Sequence, residues 1–526
     1  MNGPPLTATT WLIAAAPVLC LLVVVLTGWL SARAAAALVL ALAAVSAAVA
    51  FGAGAEVLLV ATGKGLWLGT WILGVVWPAL LLYGVASSVG LERIGRVLTS
   101  VLPRREETLL LLAWVFPSFL QGVAGFGTPI AVCAPLLVAA GWRPTHAVAA
   151  PLIGYHWSVT FGSMGSSFYM ASLTAQLDAG TQTGFALAAS TLLALQCLAA
   201  GTLVLAMDGG LAAVRAGRRM LAVVGLPMAG VLVGVAALVP AVASLAAGTA
   251  GLAGVAMLSV LDRRRGTVPV GDDATQLPSA SDGDGGQRPL QVLAPYLVLL
   301  VTALPVFLIP ASRAWVTSHL VLAPDFPATS TAIGWTNAAV NDYTPFPLFG
   351  HPGFYVVLAS LVGYLTYRMA GLWASDGDVV RTWARSLPRS SIPILLLAVL
   401  ATVMADTGMV SVLARGIARV TGPSYPALAP VMGGLGSFMT GSTTTSNALF
   451  SGLQRDIASL LGLDPAILLA AQTAGGNIGN SLAPVVALIG LTTLEGGSEL
   501  SDVARRSAGP AVVLFVLAAT VTMLRV

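Results

Sequence analysis

Three stretches of small polar residues interrupt an otherwise apolar chain, and these have chemistry to offer. The first runs Gln121-Gly122-Val123-Ala124-Gly125-Phe126-Gly127-Thr128-Pro129, and the second Thr440-Gly441-Ser442-Thr443-Thr444-Thr445-Ser446-Asn447. The third is Gln472-Thr473-Ala474-Gly475-Gly476-Asn477-Ile478-Gly479-Asn480-Ser481. Ser, Thr and Asn cap helices, which accounts for one or two residues of the second stretch. Its six hydroxyls and one amide exceed what a cap requires. Together they can replace the hydration shell of a carboxylate, or surround an ion with hydroxyl and carbonyl oxygens. Gly tolerates unusual dihedrals and Pro breaks a helix, so the first stretch reads as irregular backbone between helices. A helix beginning near Thr128-Pro129 presents free N–H groups and a positive dipole end to an anion. The Gly475-Gly476 pair predicts an unwound point in the span from Pro465 to Leu491. Its counterpart in the first half is Gly154-Tyr155-His156-Trp157-Ser158, followed by Gly162-Ser163-Met164-Gly165-Ser166-Ser167.

The candidate substrate-binding residues are therefore Gln121, Gly122, Gly125, Gly127, Thr128, Tyr155, His156 and Ser158 from the first half. From the second half come Ser442, Thr443, Thr444, Ser446, Asn447, Thr473, Asn477 and Asn480. Two ionisable residues are candidate proton-coupling groups. Asp406 ends an apolar helix, where a carboxylate is costly unless paired or protonated, and the alternative is a cap for the next helix at the outer interface. His156 can accept a proton near neutral pH or contact an anion, and the alternative is a packing histidine. Glu56, Lys64 and Asp342 lie in less hydrophobic stretches and read as near-surface residues. Cys20, Cys133 and Cys197 are scattered without ligand spacing, so neither a metal nor another cofactor is implied. HExxH, paired aspartates on facing spans, and GxSxG with a histidine partner are all missing, which argues against an enzyme.

The elements that position these residues are membrane helices. Of 526 residues, 57% are hydrophobic and 9% charged, against about 25% charged in a soluble domain. Apolar runs recur from Trp11 to Leu30, Ala34 to Phe51, Leu66 to Gly90, Phe185 to Met207, Met220 to Val239, Val292 to Ile309, Phe354 to Met369, Ile392 to Met404 and Pro510 to Leu524. About 20 apolar residues span a bilayer core. The runs are apolar all round, which excludes a barrel. The expectation is an all-α polytopic protein of the cell inner (plasma) membrane, one transmembrane domain of about 12 to 13 spans with the lipid bilayer as solvent. Met1 to Thr10 holds no Lys or Arg, so the first run reads as a retained helix and not a cleaved signal. The net charge of +4 gives no reason to expect nucleic acid. Residues 262–289 open with three arginines and continue Gly/Asp/Ser-rich, reading as a disordered cytoplasmic loop. Counting crossings puts Arg215, Arg218, Arg219, Arg381, Arg385, Arg389, Arg505 and Arg506 on that side, and Arg415, Arg419 and Arg455 on the other.

An internal repeat orders the chain. Ser118-Phe119-Leu120-Gln121-Gly122 matches Ser437-Phe438-Met439-Thr440-Gly441 at an offset of 319. Gly90 pairs with Gly408, Ile94-Gly95-Arg96-Val97 with Ile417-Ala418-Arg419-Val420, Pro144 with Pro465, and Gly154 with Gly475 at nearly the same offset. Counted crossings give the copies opposite directions, so two inverted-topology repeats are expected, over 66–170 and 385–491, with a site where their broken helices meet. Re-entrant hairpins are expected at 107–141 and 423–460, with tips lining a cavity, because unpaired backbone at membrane depth is tolerated only there.

At these residues the chain resembles the lactate permease family. The resemblance rests on Gly122-Val123-Ala124-Gly125-Phe126-Gly127-Thr128-Pro129-Ile130-Ala131, on Phe161-Gly162-Ser163-Met164-Gly165, and on Thr440-Gly441-Ser442 with Ser446-Asn447-Ala448-Leu449-Phe450 and Leu453-Gln454. Ala474-Gly475-Gly476 with Pro484 extends it, so the motifs run in order from about Leu66 to Leu491. The resemblance implies import of lactate or glycolate with protons. It also implies an acidic residue where Gln121 and Thr443 stand, a basic one at Asn480, Asn near Asp406, and Asn-Thr-Ala-Pro where this chain has Tyr155-His156-Trp157-Ser158. A divergent member is the expectation, with lactate as the family's default substrate. The function expected is secondary active transport of a small organic anion such as lactate, glycolate or another monocarboxylate, by alternating access. Asp406 and His156 favour a proton over sodium as the coupling ion. The alternatives are a sodium-coupled transporter and a passive anion channel.

Overall fold

The structure, a computed structural model, describes residues 4–27, 29–88, 102, 104–123, 125, 127–264, 291, 294–373, 379–494 and 500–526. Gly90, Ile94 to Val97 and nearly all of the 262–289 loop lie outside the described residues, as do Ala124 and Phe126 at the first hairpin tip.

Helices account for nearly all of it, because a chain in lipid must satisfy its backbone within each segment. In order they are α1 Ala8–Thr27, α2 Ala32–Ala50, α3 Ala55–Ser87, α4 Arg105–Leu110, α5 Phe116–Val123, α6 Thr128–Ala139 and α7 Pro144–Tyr155. Then come α8 Gly162–Thr174, α9 Ala179–Met220, α10 Leu226–Ala236, α11 Ala243–Arg264, α12 Ala294–Leu308, α13 Pro310–Ser318 and α14 Pro352–Met369. The chain ends with α15 Val379–Asp406, α16 Met409–Thr421, α17 Tyr425–Thr440, α18 Thr443–Leu461, α19 Pro465–Leu482, α20 Pro484–Thr492 and α21 Leu500–Arg525. Among the described residues six helices are long and apolar enough to cross a membrane, or up to eight if each of two bent pairs is one span. Ala8–Val24 and Thr128–Ala139 are shorter apolar helices.

α3 and α15 pack antiparallel along their length: Lys64 meets Asp406 at one end, and Trp77 meets Ser391 and Trp383 toward the other. Two large apolar clusters flank the polar centre, one built mainly on α3 to α11, the other on α1, α2 and α15 to α18. Four two-residue strands between α13 and α14 form two antiparallel pairs, Val321↔Pro347 with Leu322↔Phe346 and Thr329↔Asn337 with Ser330↔Thr336. This small lid is tied to α3 by the Trp67 and Trp71 indoles, which donate to the carbonyls of Thr344 and Pro345 at 3.0 and 3.1 Å.

One expectation is corrected here. Gly475 and Gly476 are helical throughout α19, which bends only at Pro484, by 44°. Their role is close approach: a Cβ on Gly475 would run into the carbonyl oxygen of Pro430 on α17. Its first-half counterpart Gly154 meets the carbonyl oxygen of Ala113 in the same way. The break falls instead at Ser163, Met164 and Gly165, whose φ angles of 45°, 57° and 73° make a left-handed turn.

Charged residues separate to two ends. Arg105, Arg143, Asp208, Arg505 and Arg506 gather at one end. Asp406 and Arg455 lie at the other, together with Arg415, which donates to the Pro4 carbonyl.

Candidate functional site

Two helix–turn–helix units meet at the centre, and each turn has a local cause. α17 stops at Gly441, left-handed at φ 67°, whose N–H returns to the Ser437 carbonyl at 2.8 Å. Ser442 then starts α18 in an extended conformation, and its hydroxyl accepts from the Thr445 N–H at 3.3 Å. This leaves the N–H groups of Thr443 and Thr444 without intrahelical acceptors. In the first half Gly127, at φ 86°, precedes α6, and the Gly125 N–H donates to Ser163 Oγ at 2.8 Å. Ser163 and Met164 are non-glycine residues in the left-handed region, which costs about 1–2 kcal/mol each. Strain of this kind persists where the surroundings over-determine it, and here it brings Ser163 to the first turn.

Between the turns lies a cavity of about 300 Å³. Gln121, Gly127, Tyr155, Ser163, Ser166 and Ser167 line it from the first half. Ser442, Thr443, Thr444, Thr445 and Asn480 line it from the second, with Ile394, Val485, Val486 and Ile489 as apolar wall. Among the described residues no Asp, Glu, Lys or Arg lines it. Its positive potential comes from the N-terminal ends of α6 and α18, each equivalent to about half a unit charge.

Behind the cavity the two halves share a buried hydrogen-bond network. Thr160 Oγ1 lies 2.9 Å from Thr473 Oγ1 and 3.1 Å from Asn477 Oδ1. Asn447 Nδ2 donates to the Ser167 carbonyl at 2.9 Å and to Thr473 Oγ1 at 3.0 Å, while Ser167 and Thr444 hydroxyls are 2.8 Å apart. Thr443 Oγ1, Asn447 Oδ1 and Asn477 Nδ2 are buried with no partner. An orphaned buried polar atom costs about 1–3 kcal/mol, so these three mark where a polar guest is rewarded.

Of the sixteen substrate-binding candidates, Gln121, Gly127, Tyr155, Ser442, Thr443, Thr444 and Asn480 line the cavity, and Asn447, Thr473 and Asn477 stand behind it. The rest serve packing. Gly122 lets α5 approach Leu245 of α11, Gly125 anchors to Ser163, and Thr128 opens α6. Ser446 bonds the Gly433 carbonyl across α17 and α18, and Ser158 Oγ donates to the Tyr155 carbonyl. His156 is fully buried away from the cavity, with Nδ1 donating to the Ile153 carbonyl at 2.7 Å. Ser163, Ser166, Ser167 and Thr160 were not among the candidates. Their signal was a run of small polar residues in an apolar stretch with no cap to explain it.

Asp406 is not in the cavity either, and its environment corrects the reading of Lys64. Lys64 is buried, and its Nζ sits 2.9 Å from Asp406 Oδ2, with side chains only 4% and 8% exposed. Asn337 of the lid donates to the Asp406 carbonyl at 2.8 Å. A narrow space of about 30 Å³ adjoins Asp406, lined by Ala398 and Thr402 of α15 and Ala448 and Gly452 of α18. Ile394 and Asp406 share α15, so the pair lies about 18 Å from the cavity wall at 1.5 Å per residue.

A family model described as L-lactate permease matches residues 10–526. The chain belongs to the L-lactate permease family. The L-lactate permease of Streptococcus iniae is 28% identical over 79% of this chain and 83% of its own length. The glycolate permease GlcA of Escherichia coli (strain K12) is 25% identical over 92% of this chain and 89% of its own. Among solved structures the YdaH transporter of Alcanivorax borkumensis is similar over 88% of this chain and 86% of its own, at 14% identity and a TM-score of 0.47. As a member of the L-lactate permease family the chain is a multi-pass membrane transporter. Gln121, Thr443 and Asn480, the positions where the resemblance implies charges in other members, all line the one cavity.

Proposed function

We propose that the chain imports a small monocarboxylate such as lactate or glycolate across the inner membrane, coupled to protons, by alternating access around the central cavity. The observation that carries this reading is the uncharged cavity between two helix N-termini, with the buried Thr443 hydroxyl unpartnered on its wall. A carboxylate there accepts from the Thr443 and Thr444 N–H groups, the Thr443 hydroxyl and the Gln121 amide. Its alkyl end rests on Ile394 and Val486.

Coupling is assigned to Asp406. While Asp406 is ionised, its bond to Lys64 holds the outer ends of α3 and α15 together, and Asn337 ties the lid to the Asp406 backbone carbonyl in either state. A proton from outside neutralises the carboxylate, weakens the pair and opens the narrow space beside it toward the cavity. The antiparallel α3 and α15, and the matching glycine contacts at Gly154 and Gly475, support two inverted repeats that rock against each other.

Uptake by proteoliposomes tests this. Lactate or glycolate should accumulate above its external concentration when the inside is made alkaline. A passive channel would only equilibrate it, and a sodium-coupled carrier would lose accumulation when choline replaces sodium.

A further inference from the structure

At the end of the molecule away from Asp406, the first turns of α4, α7 and α21 and the Gly209-Gly210 kink of α9 enclose a cavity of about 620 Å³. Four arginines line it, Arg105, Arg143, Arg505 and Arg506, against Asp208 and Asp502. Among the described residues these two carboxylates do not balance the four arginines. Asp208 Oδ1 is shared among the Trp142 indole at 3.0 Å, Arg105 at 3.5 Å and His146 Nε2 at 3.7 Å. Asp502 faces Arg505 at 3.8 Å on the exposed rim. Arg506 donates only to neutral acceptors, His146 Nδ1 at 3.0 Å and the Met207 carbonyl at 2.8 Å. Among the described residues neither Arg143 nor Arg506 has a carboxylate partner.

His146 is buried, and its protonation pattern follows from Arg506. A guanidinium Nε always carries hydrogen, so the Nδ1 that accepts from it holds a lone pair and the imidazole proton sits on Nε2. That N–H is buried at the cavity wall with no hydrogen-bond partner among the described residues, 3.7 Å from Asp208 Oδ1. Trp142 forms a second wall, with the Arg105 guanidinium 4.4 Å above its ring. Planar guanidinium groups without a carboxylate partner among the described residues, beside an indole at the end of a helical bundle, fit a doubly hydrogen-bonded oxyanion at the membrane interface.

We propose that this cavity binds a phosphate group, carried by an anionic phospholipid of the inner leaflet or by free phosphate. It sits at the foot of α6, whose other end carries Gly127 of the central cavity about 18 Å away. A bound phosphate ties the Gly141 to Arg143 turn to α21, and so fixes the inner end of the first helix–turn–helix unit.

Thermal unfolding of the full-length protein in a neutral detergent tests the proposal, with inorganic phosphate against chloride at equal ionic strength, and short-chain phosphatidylglycerol against phosphatidylcholine. Saturable stabilisation by phosphatidylglycerol alone assigns the site to lipid, and stabilisation by both assigns it to phosphate in either form. The Arg143→Gln/Arg506→Gln variant should need about 100-fold more probe or beyond, the loss expected for two charge-assisted bonds. Arg419→Gln, on α16 and outside this cavity, should respond like the parent. If the double variant does not fold, Arg143→Gln alone carries the test, since Arg143 has no side-chain partner to lose among the described residues. Equal response of variant and parent, stabilisation no greater than the controls, or an equally potent response to lactate that vanishes in the variant would each overturn it.

Discussion

Replacing Lys64 by Met leaves the Asp406 carboxylate buried beside an apolar side chain, and the cost can be bounded from the geometry. At 2.9 Å the pair attracts with about 6 kcal/mol at an effective dielectric near 20. Dehydrating both ions offsets most of that, so the pair itself adds little net stability. Removing one partner is different, because the other keeps its dehydration without compensation, a loss of about 3–5 kcal/mol. Lys64→Met and Asp406→Leu should each destabilise by that amount. The double variant should return to within about 1–2 kcal/mol of the parent, since an apolar pair of similar volume replaces a buried ion pair at little cost. Denaturant or heat unfolding in micelles, read by tryptophan fluorescence and closed as a double-mutant cycle, measures this directly. The same double variant should admit lactate downhill yet fail to accumulate it under a proton gradient, because the titrating group is gone. Single variants within about 1 kcal/mol of the parent, or a double variant equal to the sum of the singles, would refute the pairing and the coupling role built on it.

Other outcomes follow from the cavity and its packing. Thr443→Val removes a buried hydroxyl with no protein partner among the described residues, so the empty protein should be stabilised by about 1–3 kcal/mol while half-saturation for uptake rises about 10- to 100-fold, the worth of one hydrogen bond to a charged group. Gly475→Ala forces a methyl into the Pro430 carbonyl and should cost about 3 kcal/mol or abolish folding. Gly230→Ala on α10, where nothing lies within 4 Å, should be neutral or stabilise by about 0.5–1 kcal/mol. His156→Gln should lower unfolding temperature and leave the pH dependence of uptake in place, because the ring is buried away from the cavity.

The turns at Gly125 to Thr128 and Gly441 to Ser442 were legible because their cause is local: glycine ends one helix, and a hydroxyl or proline begins the next. Gly475-Gly476 was misread because the same residue type serves an unwound point and a close helix contact, and only the partner helix decides between them. The stretch around Ser163 and Met164 stood out as small and polar, but its left-handed turn was not legible, since neither residue favours that region. Lys64 and Asp406 stand 342 residues apart in the chain. Each alone looks like a charge at the end of an apolar run, and the energetics belong to the pair. Thr160 and Ser167 were obscured likewise, their partners Thr473 and Thr444 lying in the other half.

Proton-driven uptake is the most direct test. With equal lactate or glycolate on both sides and an alkaline lumen, proteoliposomes of the parent chain should concentrate the substrate several-fold, and a protonophore should abolish the excess. Entry that stops at equal concentrations under every imposed proton gradient would contradict the account.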